Sequence, residues 1–511
     1  MSKGKRRNAV TLILLLLALG ILIGFYVWYK NRGTGSKDNT AGTEDGLGVS
    51  EGTEAKIPLA TMDPDLITIL FFTNKDADMK LVLTEGVWKS ESEPDRPINQ
   101  DYVKNMLNII DDVKAERLVN DAPSDLSEYG LSEPSVYLQA EQSDGKALTL
   151  KIGDESAGGE GYYALVNGKK TVYLLDITFG TGLAYSDTDM TYVEDGPTIS
   201  AENIYHIDVL KKEGDNFELL YDPENKLDVT GLFPWVILKP YEEGYPADGS
   251  KVSEILPNYA SFNFITCVDY SGKDLSIYGL ADPAASVFVE YYEYYTQTLE
   301  KPETNPETGE EITEKTYYDD KNFKIYIGNP DNTGNYYVKK EGSDAVYTIK
   351  LEEIDTMLQT DAFNLLSSFV SIFNIGKIDR IDIEIENKPY TMEIKRETEK
   401  NTDGEDETKA TYYYNGEIVE EEVFKDVYQI MVSAGYDTEI KEEVGTDDLE
   451  PFLKISYHII GDQEITQTTS YLPYNESFYL VDNGNGIRFF ADKREVDGIA
   501  VAIREFKGTE D

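Results

Sequence analysis

Alternating and helical patterns of apolar residues divide most of the chain into three similar stretches. A strand pattern rich in β-branched and aromatic residues opens each stretch, at residues 66–72, 204–210 and 378–385. The last of these alternates strictly between apolar and polar residues, as a half-buried strand should. A second strand pattern follows, and then apolar residues recur at i, i+3, i+4 and i+7. In the first stretch Asn99 precedes this repeat and is suited to cap a helix. Each stretch is therefore predicted to begin with two strands and a helix, although Pro257 interrupts the second helix.

Turn and hairpin signals follow each helix in a fixed order. The first copy contains a Tyr-Gly-Leu turn, then Ile-Gly, then paired tyrosines and a Val-Tyr strand, and the second copy repeats this series. The corresponding residues are Tyr129-Gly130-Leu131 with Pro134, Ile152-Gly153, Tyr162-Tyr163 and Val172-Tyr173 in the first copy, and Tyr278-Gly279-Leu280 with Pro283, Ile327-Gly328, Tyr336-Tyr337 and Val346-Tyr347 in the second. A weaker third copy keeps Phe478-Tyr479 and Phe489. The repetition predicts a β-rich α+β protein built from tandem units of strand pair, helix, turn and hairpins.

A chain of 511 residues is too long for one hydrophobic core, so several domains are expected. The predicted divisions are a cytoplasmic basic tail at 1–8, a transmembrane helix at 9–29, a flexible linker at 30–60, and repeat units at 61–195, 196–373 and 374–511, the last being degenerate. Residues 351–373 are predicted to form a helix that bridges the second and third units. The acidic segments 300–320 and 397–410 are predicted to be exposed or mobile hairpin tips.

The segment at residues 9–29 contains no charged residue, and its length suits a helix that crosses the bilayer. Lysine and arginine cluster before it, which predicts that the amino terminus stays in the cytoplasm and that the body is extracytoplasmic. A cleaved signal peptide is disfavoured because the apolar run is long and no small-x-small site closes it. The sequence therefore predicts a single-pass anchor in the cell membrane.

Charge and composition exclude several classes of function. The formal net charge of -49 repels phosphate backbones, which argues against nucleic-acid binding. Tyrosine is abundant, with 37 residues, and favours strands and half-exposed faces. The single cysteine, Cys267, cannot form an intrachain disulfide and is predicted to be a buried strand residue.

Residues with catalytic or metal-binding chemistry are sparse. His206 and His458 are the only histidines, and both lie in strand patterns, which disfavours a histidine-rich zinc site or a Ser-His-Asp triad. Ser143-Asp-Gly-Lys146 fits Ser-x-x-Lys, but its Asp-Gly predicts a hairpin turn. Asp331–Asn335 and Asp482–Gly486 carry oxygens at calcium-like spacing, and whether calcium binds there stays open. No catalytic, cofactor-binding or metal-binding residue is assigned.

Two further possibilities remain open. The 96 acidic residues leave room for a glycosidase-like pair of carboxylates, which has no local signature. Residues Tyr291–Tyr295 (Tyr-Tyr-Glu-Tyr-Tyr) could present rings on both faces of a strand, as sugar-binding platforms do, or could pack as core and sheet support.

The Tyr-Gly-Leu-x-x-Pro turn, the Ile-Gly-Asp/Asn step, the paired tyrosines and the Val-Tyr strand, behind one amino-terminal span, resemble the bacterial domain-of-unknown-function family DUF4340. The resemblance covers residues 66–190, is repeated at 204–350 and fades beyond them. It implies a membrane-anchored envelope protein, often encoded beside ABC transporter subunits of the gliding-motility type. The family has no agreed catalytic residues, so none is carried over to this chain.

The sequence thus leads us to expect a non-enzymatic, membrane-anchored binding or scaffold protein that is accessory to an ABC-type transport complex. Its partners would be the lipid bilayer, through residues 9–29, and the transporter subunits, with no cofactor. The alternatives are an enzyme acting on cell-wall glycan or peptide and an adhesin that binds carbohydrate or peptide. Gly130 is expected to serve folding, because a turn glycine permits a positive φ.

Overall fold

The computed structural model describes residues 55–506, except for 225, 228–229, 242–243, 306–308, 310, 401–405, 442–443, 446–448, 461–464 and 485. The predicted basic tail, the transmembrane helix at 9–29 and most of the linker at 30–60 lie outside the described residues. Within the described part, no helix is long and apolar enough to cross a membrane. The described residues from Lys56 onward form one compact unit.

The first sheet contains nine antiparallel strands and is accompanied by two helices. Its strands are β1 (Ile57–Thr61), β2 (Ile67–Asn74), β3 (Ala77–Thr84), β4 (Val87–Ser90), β5 (Asp112–Asn120), β6 (Val136–Gln142), β7 (Ala147–Glu155), β8 (Tyr162–Val166) and β9 (Val172–Leu175). The helices are α1 (Gln100–Ile110) and α2 (Thr178–Thr181). Asn99 caps α1 as predicted, because its side chain accepts hydrogen bonds from the backbone nitrogens of Asp101 and Tyr102.

The second sheet also has nine strands, and two of them are unusually long. They are β10 (Ile204–Lys211), β11 (Phe217–Tyr221), β12 (Trp235–Lys239), β13 (Tyr245–Pro246), β14 (Thr266–Asp269), β15 (Ala285–Thr304), β16 (Glu311–Pro330), β17 (Asn335–Lys340) and β18 (Val346–Lys350). Its helices are α3 (Gly249–Ile255), α4 (Leu351–Leu358) and α5 (Ala362–Leu365). The chain continues past α3 as a 3-10 turn that contains Pro257.

The third sheet completes the body with nine more strands. They are β19 (Ile378–Ile385), β20 (Lys388–Lys400), β21 (Asp406–Tyr414), β22 (Glu417–Val419), β23 (Thr438–Glu439), β24 (Leu453–Ile459), β25 (Ile465–Pro473), β26 (Phe478–Asp482) and β27 (Ile487–Asp492). Helices α6 (Glu421–Met431) and α7 (Lys493–Glu505) accompany it. The predicted third helix is confirmed, with Phe424, Val427, Tyr428 and Met431 buried.

The three sheets share one topology. The second sheet has the order β13-β12-β11-β10-β15-β16-β17-β18-β14, and the third has the same order, β22-β21-β20-β19-β24-β25-β26-β27-β23. The first sheet reads β4-β3-β2-β6-β7-β8-β9-β5-β1, which lacks the outermost strand at one edge and adds β1 at the other. In every sheet the opening strand (β2, β10 or β19) pairs with the second strand after the helix (β6, β15 or β24), whereas the first strand after the helix lies at or next to the far edge. The chain is therefore β-rich, with three antiparallel sheets of equivalent order.

Each sheet buries one face in its own core. Strand β6 illustrates the alternation, since Val136, Leu138 and Ala140 are buried while the residues between them are partly exposed. The buried residues of α1 join the same core, so the helix covers this face. One covered face and one open face give the strict alternation seen in the sequence.

The repeated motif residues meet in the first two sheets. Gly130 and Gly279 end short 3-10 turns with φ values of 68° and 71°, in the left-handed region that favours glycine. The rings of Tyr129 and Tyr163 meet edge to face at 5.2 Å, and those of Tyr278 and Tyr337 do so at 5.0 Å. The motif therefore joins the turn to the hairpin.

One prediction is wrong in its local detail and another is incomplete. Residues 351–373 do not form one bridging helix, because α4 ends at Leu358 and Asp361 caps the separate helix α5. The described residues of the acidic segment at 300–320 are mostly exposed, as predicted, but they are not confined to the hairpin tip. Most of its described residues continue β15 and β16 as a paired ladder.

Candidate interaction site

The second sheet carries a two-stranded projection, formed where β15 and β16 outrun their neighbours. Strand β10 pairs with β15 only as far as Tyr291, and β17 pairs with β16 only over its last residues, from Ile325 to Pro330. From Tyr292 to Thr304 the pairs of β15 given by the register are with β16 alone. We call residues 292–304 and 311–322 the tyrosine arm.

Tyrosines pair across the arm on both of its faces. Tyr294 lies opposite Tyr318 and Tyr295 opposite Tyr317, and the ring centroids of each pair are 5.8 Å apart. Cross-strand aromatic pairs stabilise a β-ribbon. The four rings nevertheless keep a large exposed fraction, 52% for Tyr294 and 56% for Tyr318. The arm thus presents aromatic surface that the described body does not cover.

The base of the arm is fixed to the open face of the sheet. The ring of Tyr292 stacks on Tyr205 of β10 at 4.5 Å and meets Tyr318 edge to face at 4.8 Å. Burial, together with the carboxylates of Glu290 and Asp320, raises the pKa of Tyr205 to about 12. The aromatic surface is therefore continuous from the sheet to the arm and has carboxylates beside it.

A charged cluster surrounds His206 on the same open face. Its Nδ1 lies 2.6 Å from Glu290 Oε2, and its Nε2 lies 3.1 Å from Glu218 Oε1. Lys239 Nζ lies 2.8 Å from Glu218 Oε2 and 3.0 Å from Asp208 Oδ1. Burial opposes ionisation of Glu218, but hydrogen bonds from Lys239 and His206 outweigh it and lower the pKa of this carboxyl. The cluster links four adjacent strands through its hydrogen bonds and ion pairs.

In the third sheet, Arg380 occupies the position that corresponds to His206, and His458 occupies the position that corresponds to Glu290. In each sheet the opening strand is irregular after its first residue, and the next pair in register is Ile69 with Glu141, His206 with Glu290, and Arg380 with His458. The Nε2 of His458 lies 2.8 Å from Asp382 Oδ2. Both histidines lie in strands as predicted. Because different residues fill equivalent positions, the two sites form surface ion pairs of different composition.

The loop at Asp331–Asn335 provides hydrogen-bond donors to the carboxylate of Asp331. Asp331 accepts hydrogen bonds from the backbone nitrogens of Thr333 and Asn335, at 2.7 and 2.9 Å, and from both of their side chains. Despite the cost of burial, these bonds lower the pKa of Asp331 to about 2. In the second loop, Asp482 Oδ1 accepts from Gly484 N. Over the described residues, no group of three or more His, Cys, Asp or Glu side chains is arranged to hold a metal ion.

The other residues with potential chemistry have structural positions. Residues Ser143–Lys146 form the turn between β6 and β7, as predicted, and Gly145 has a φ of 89°. Cys267 is buried in β14, also as predicted. Burial raises the pKa of its thiol to about 11, which disfavours the reactive thiolate.

The tyrosines of Tyr291–Tyr295 divide between packed and exposed positions. Tyr291 packs against the core of the second sheet, and Tyr292 stacks on Tyr205. Tyr294 and Tyr295 are about half exposed. The length of the arm was missed because its acidity suggested a mobile tip. The β-favouring Tyr and Thr residues concentrated at 291–298 and 316–318 were the available signal.

Comparison with known proteins gives one family match. The family model described as "Domain of unknown function (DUF4340)" matches residues 88–226 and 235–442. No curated protein and no solved structure matches the chain significantly. The match includes the Tyr-Gly-Leu turns of both complete repeats and the whole tyrosine arm.

Proposed function

This chain belongs to the DUF4340 family, and we propose that it is a non-enzymatic, membrane-anchored binding protein that engages a partner protein through its tyrosine arm. The partner we favour is a subunit of an ABC-type transport complex in the same membrane. Family association suggests this partner, and the arm supplies the surface that would bind it.

The observation that carries this proposal is the arm itself. An isolated two-stranded hairpin is marginally stable in water, and exposed strand edges promote association. This arm nevertheless keeps Tyr294, Tyr295, Tyr317 and Tyr318 substantially exposed. Tyrosine is enriched at protein interfaces because its ring buries a large area and its hydroxyl forms hydrogen bonds. A partner protein that covers these four rings would explain why the arm presents exposed tyrosines.

An anchor at residues 9–29 would hold this surface near other membrane proteins. Residues 9–29 would span the bilayer, and residues 30–60 would act as a tether. An extracytoplasmic body held in this way meets partners in the same membrane at a raised effective concentration. A weak interface on the arm would then be sufficient for assembly.

Site-specific photocrosslinking in intact cells tests this function. A photoreactive phenylalanine analogue at Tyr294 or Tyr318 is expected to give one major adduct that contains a transporter subunit. The matched control is Tyr474, whose exposed fraction of 47% is close to the 52% of Tyr294 but which lies outside the arm. Adducts of the same identity and yield from Tyr474, or none from the arm, would overturn the proposal.

Carbohydrate binding is a second candidate for the same surface. It is favoured by the stack of Tyr205 on Tyr292 beside Glu290 and Asp320, since sugars pack on aromatic rings while carboxylates accept hydrogen bonds from their hydroxyls. Cell-wall fragments that protect Tyr292 from chemical modification, without a protein adduct at Tyr294, would favour this alternative.

A further inference from the structure

The two faces of the tyrosine arm differ in charge. The register of β15 with β16 is regular as far as Thr298, so alternate side chains lie on opposite faces. We call the face that continues the open face of the second sheet the outer face. Its cross-strand pairs along the arm are Tyr292 with Asp320, Tyr294 with Tyr318, Thr296 with Thr316, and Thr298 with Glu314. The charged side chains of these four pairs are both acidic.

The opposite face of the arm balances its charges. Its cross-strand pairs are Tyr291 with Lys321, Glu293 with Asp319, Tyr295 with Tyr317, and Gln297 with Lys315. Lys321 Nζ lies 3.5 Å from Glu293 Oε2 and 3.5 Å from Asp319 Oδ2. Within these described pairs, both lysines therefore lie on the opposite face and none on the outer face.

The tyrosines of the outer face form a compact group of rings. The ring centroid of Tyr292 lies 4.8 Å from that of Tyr318 and 6.2 Å from that of Tyr294, and the last two are 5.8 Å apart. A cation placed above this triangle can lie within about 6 Å of all three centroids, which is the range of a cation–π interaction. The spacing of the rings therefore suits a positively charged group.

A carboxylate borders this group of rings. Asp320 lies opposite Tyr292 and is exposed, and among the described residues the neighbouring lysine pairs with Asp319 instead. Burial raises the pKa of the Tyr292 hydroxyl, and the Asp320 carboxylate raises it further, so the negative charge of Asp320 acts at the rings. Aromatic rings and a carboxylate on one face are complementary to a positively charged partner group.

We propose that the outer face of the tyrosine arm binds an arginine side chain of the partner protein. Its guanidinium group would lie over the rings of Tyr292, Tyr294 and Tyr318 and donate hydrogen bonds to the Asp320 carboxylate. Arginine suits this face better than lysine because its planar group stacks on aromatic rings and donates two hydrogen bonds to one carboxylate. This inference rests on the proposed function, since it names the chemistry of the partner that the arm engages.

Peptide binding to the detergent-solubilised full chain tests this chemistry. The probe is a fluorescently labelled Gly-Arg-Gly-Arg-Gly peptide, and the control is the same peptide with citrulline, which has nearly the same shape as arginine and no charge. We expect saturable binding of the arginine peptide, measured by fluorescence anisotropy, and none of the citrulline peptide. Saturable binding of neither peptide, or equal binding of both, would overturn the proposal.

Variants separate this site from the general attraction of an acidic protein for cations. Asp320→Asn and Tyr318→Leu are each expected to weaken the arginine peptide by about threefold or more. Asp319→Asn removes the same charge from the opposite face, and Tyr474→Leu removes a similarly exposed ring outside the arm, so both should leave the affinity unchanged. Each variant is first checked for a cooperative thermal transition. An equal loss in the control variants would contradict a specific site.

Crosslinking in cells distinguishes failure of this inference from failure of the proposed function. A photoreactive residue at Thr296, an exposed position on the outer face, is expected to crosslink the transporter subunit. The yield should fall when Asp320→Asn is added and stay the same with Asp319→Asn. An adduct with the same yield in both variants would contradict the arginine contact alone, whereas no adduct from any position of the arm would contradict the proposed function as well.

Discussion

Gly153 lies so close to Tyr129 that a β-carbon on the glycine would collide with the tyrosine's carbonyl oxygen. Gly328 has the same relationship to the carbonyl oxygen of Tyr278 in the second sheet. The Ile-Gly step and the Tyr-Gly-Leu turn of each repeat are therefore parts of one contact. The turn can pack on the strand only where the strand residue has no side chain.

Gly153→Ala is expected to lower the free energy of unfolding by about 2 kcal/mol or more, because the strand and the turn would have to separate. Chemical denaturation of the purified body measures the change. Gly498→Ala is the control, since this exposed helical glycine has no atom within 4 Å of an added β-carbon and alanine should stabilise its helix. Equal effects of the two substitutions would contradict the contact.

Gly130→Val is expected to destabilise the fold by about 2–4 kcal/mol. Its φ is 68°, and a β-carbon would lie 2.7 Å from the backbone nitrogen of Asp154. Gly145→Val shares the strain of a positive φ but meets no atom within 4 Å, so it should cost less. Thermal unfolding compares the two. Unchanged stability of Gly130→Val together with lost partner binding would instead assign Gly130 to a binding site.

Glu439→Gln should make stability less dependent on pH. Burial raises the pKa of Glu439, which means that the folded state binds this proton more tightly than the unfolded state does, so its contribution to stability is fullest below the ordinary value of 4.5 and falls as pH rises through the folded pKa. Glutamine is neutral throughout, so the variant should melt higher than the parent at about pH 8 and show a smaller difference at about pH 5. Glu417→Gln, at an exposed position, provides the control, and a difference that grows towards low pH would show the sign to be wrong.

The double substitution Tyr294→Ser and Tyr318→Ser should separate binding from folding. Both rings are more than half exposed, so the free energy of unfolding should change by less than about 1 kcal/mol. Recovery of the partner by affinity purification from cells should be lost. Tyr428→Phe is the opposite control: it removes a buried 2.6 Å hydrogen bond to the Phe373 oxygen, so it should cost about 1 kcal/mol and leave the partner bound.

Phe489→Ala should uncouple the second and third sheets. Phe489 belongs to β27, yet its ring lies 5.5 Å from Tyr241 and 5.8 Å from Phe363, both from the second unit. Loss of this buried ring should cost about 3–5 kcal/mol and broaden or split the calorimetric transition. Phe490→Ala is the control, because it alters the neighbouring, partly exposed ring, which packs on Tyr474. A single sharp calorimetric transition in both variants would contradict the coupling.

Local patterns in the sequence were sufficient to predict the secondary-structure elements that recur in each sheet. The opening strands and the helix behind Asn99 are set by periodicity and capping within a few residues, and both predictions are confirmed. The prediction of a bridging helix was wrong because Asp361 caps a separate helix that begins at Ala362. Asp is a helix-start signal in the sequence, but the apolar residues on both sides of it suggested one continuous helix. The predicted anchor at residues 9–29 lies outside the described residues and stays a prediction.

Long-range pairing accounts for what the sequence did not reveal. The arm depends on the antiparallel pairing of β15 with β16. The acidic segment between them has a composition that suggested an exposed or mobile tip. The interaction of Tyr241 with Glu439 joins residues that are far apart in the chain and meet only when β23 packs near the end of β12. Neither arrangement leaves a local period that sequence reasoning could use.

The register of β15 and β16 has a consequence for how such proteins diversify. Thr296 faces Thr316 directly, as each residue faces its partner from Ala285 to Thr298. A short Asn-Gly turn could therefore close the ribbon at almost any rung without disturbing the body. The first sheet already has a compact hairpin of β6 and β7 at the equivalent place. The ribbon can thus be lengthened or shortened by whole rungs while the pairing of the sheet beneath it stays the same.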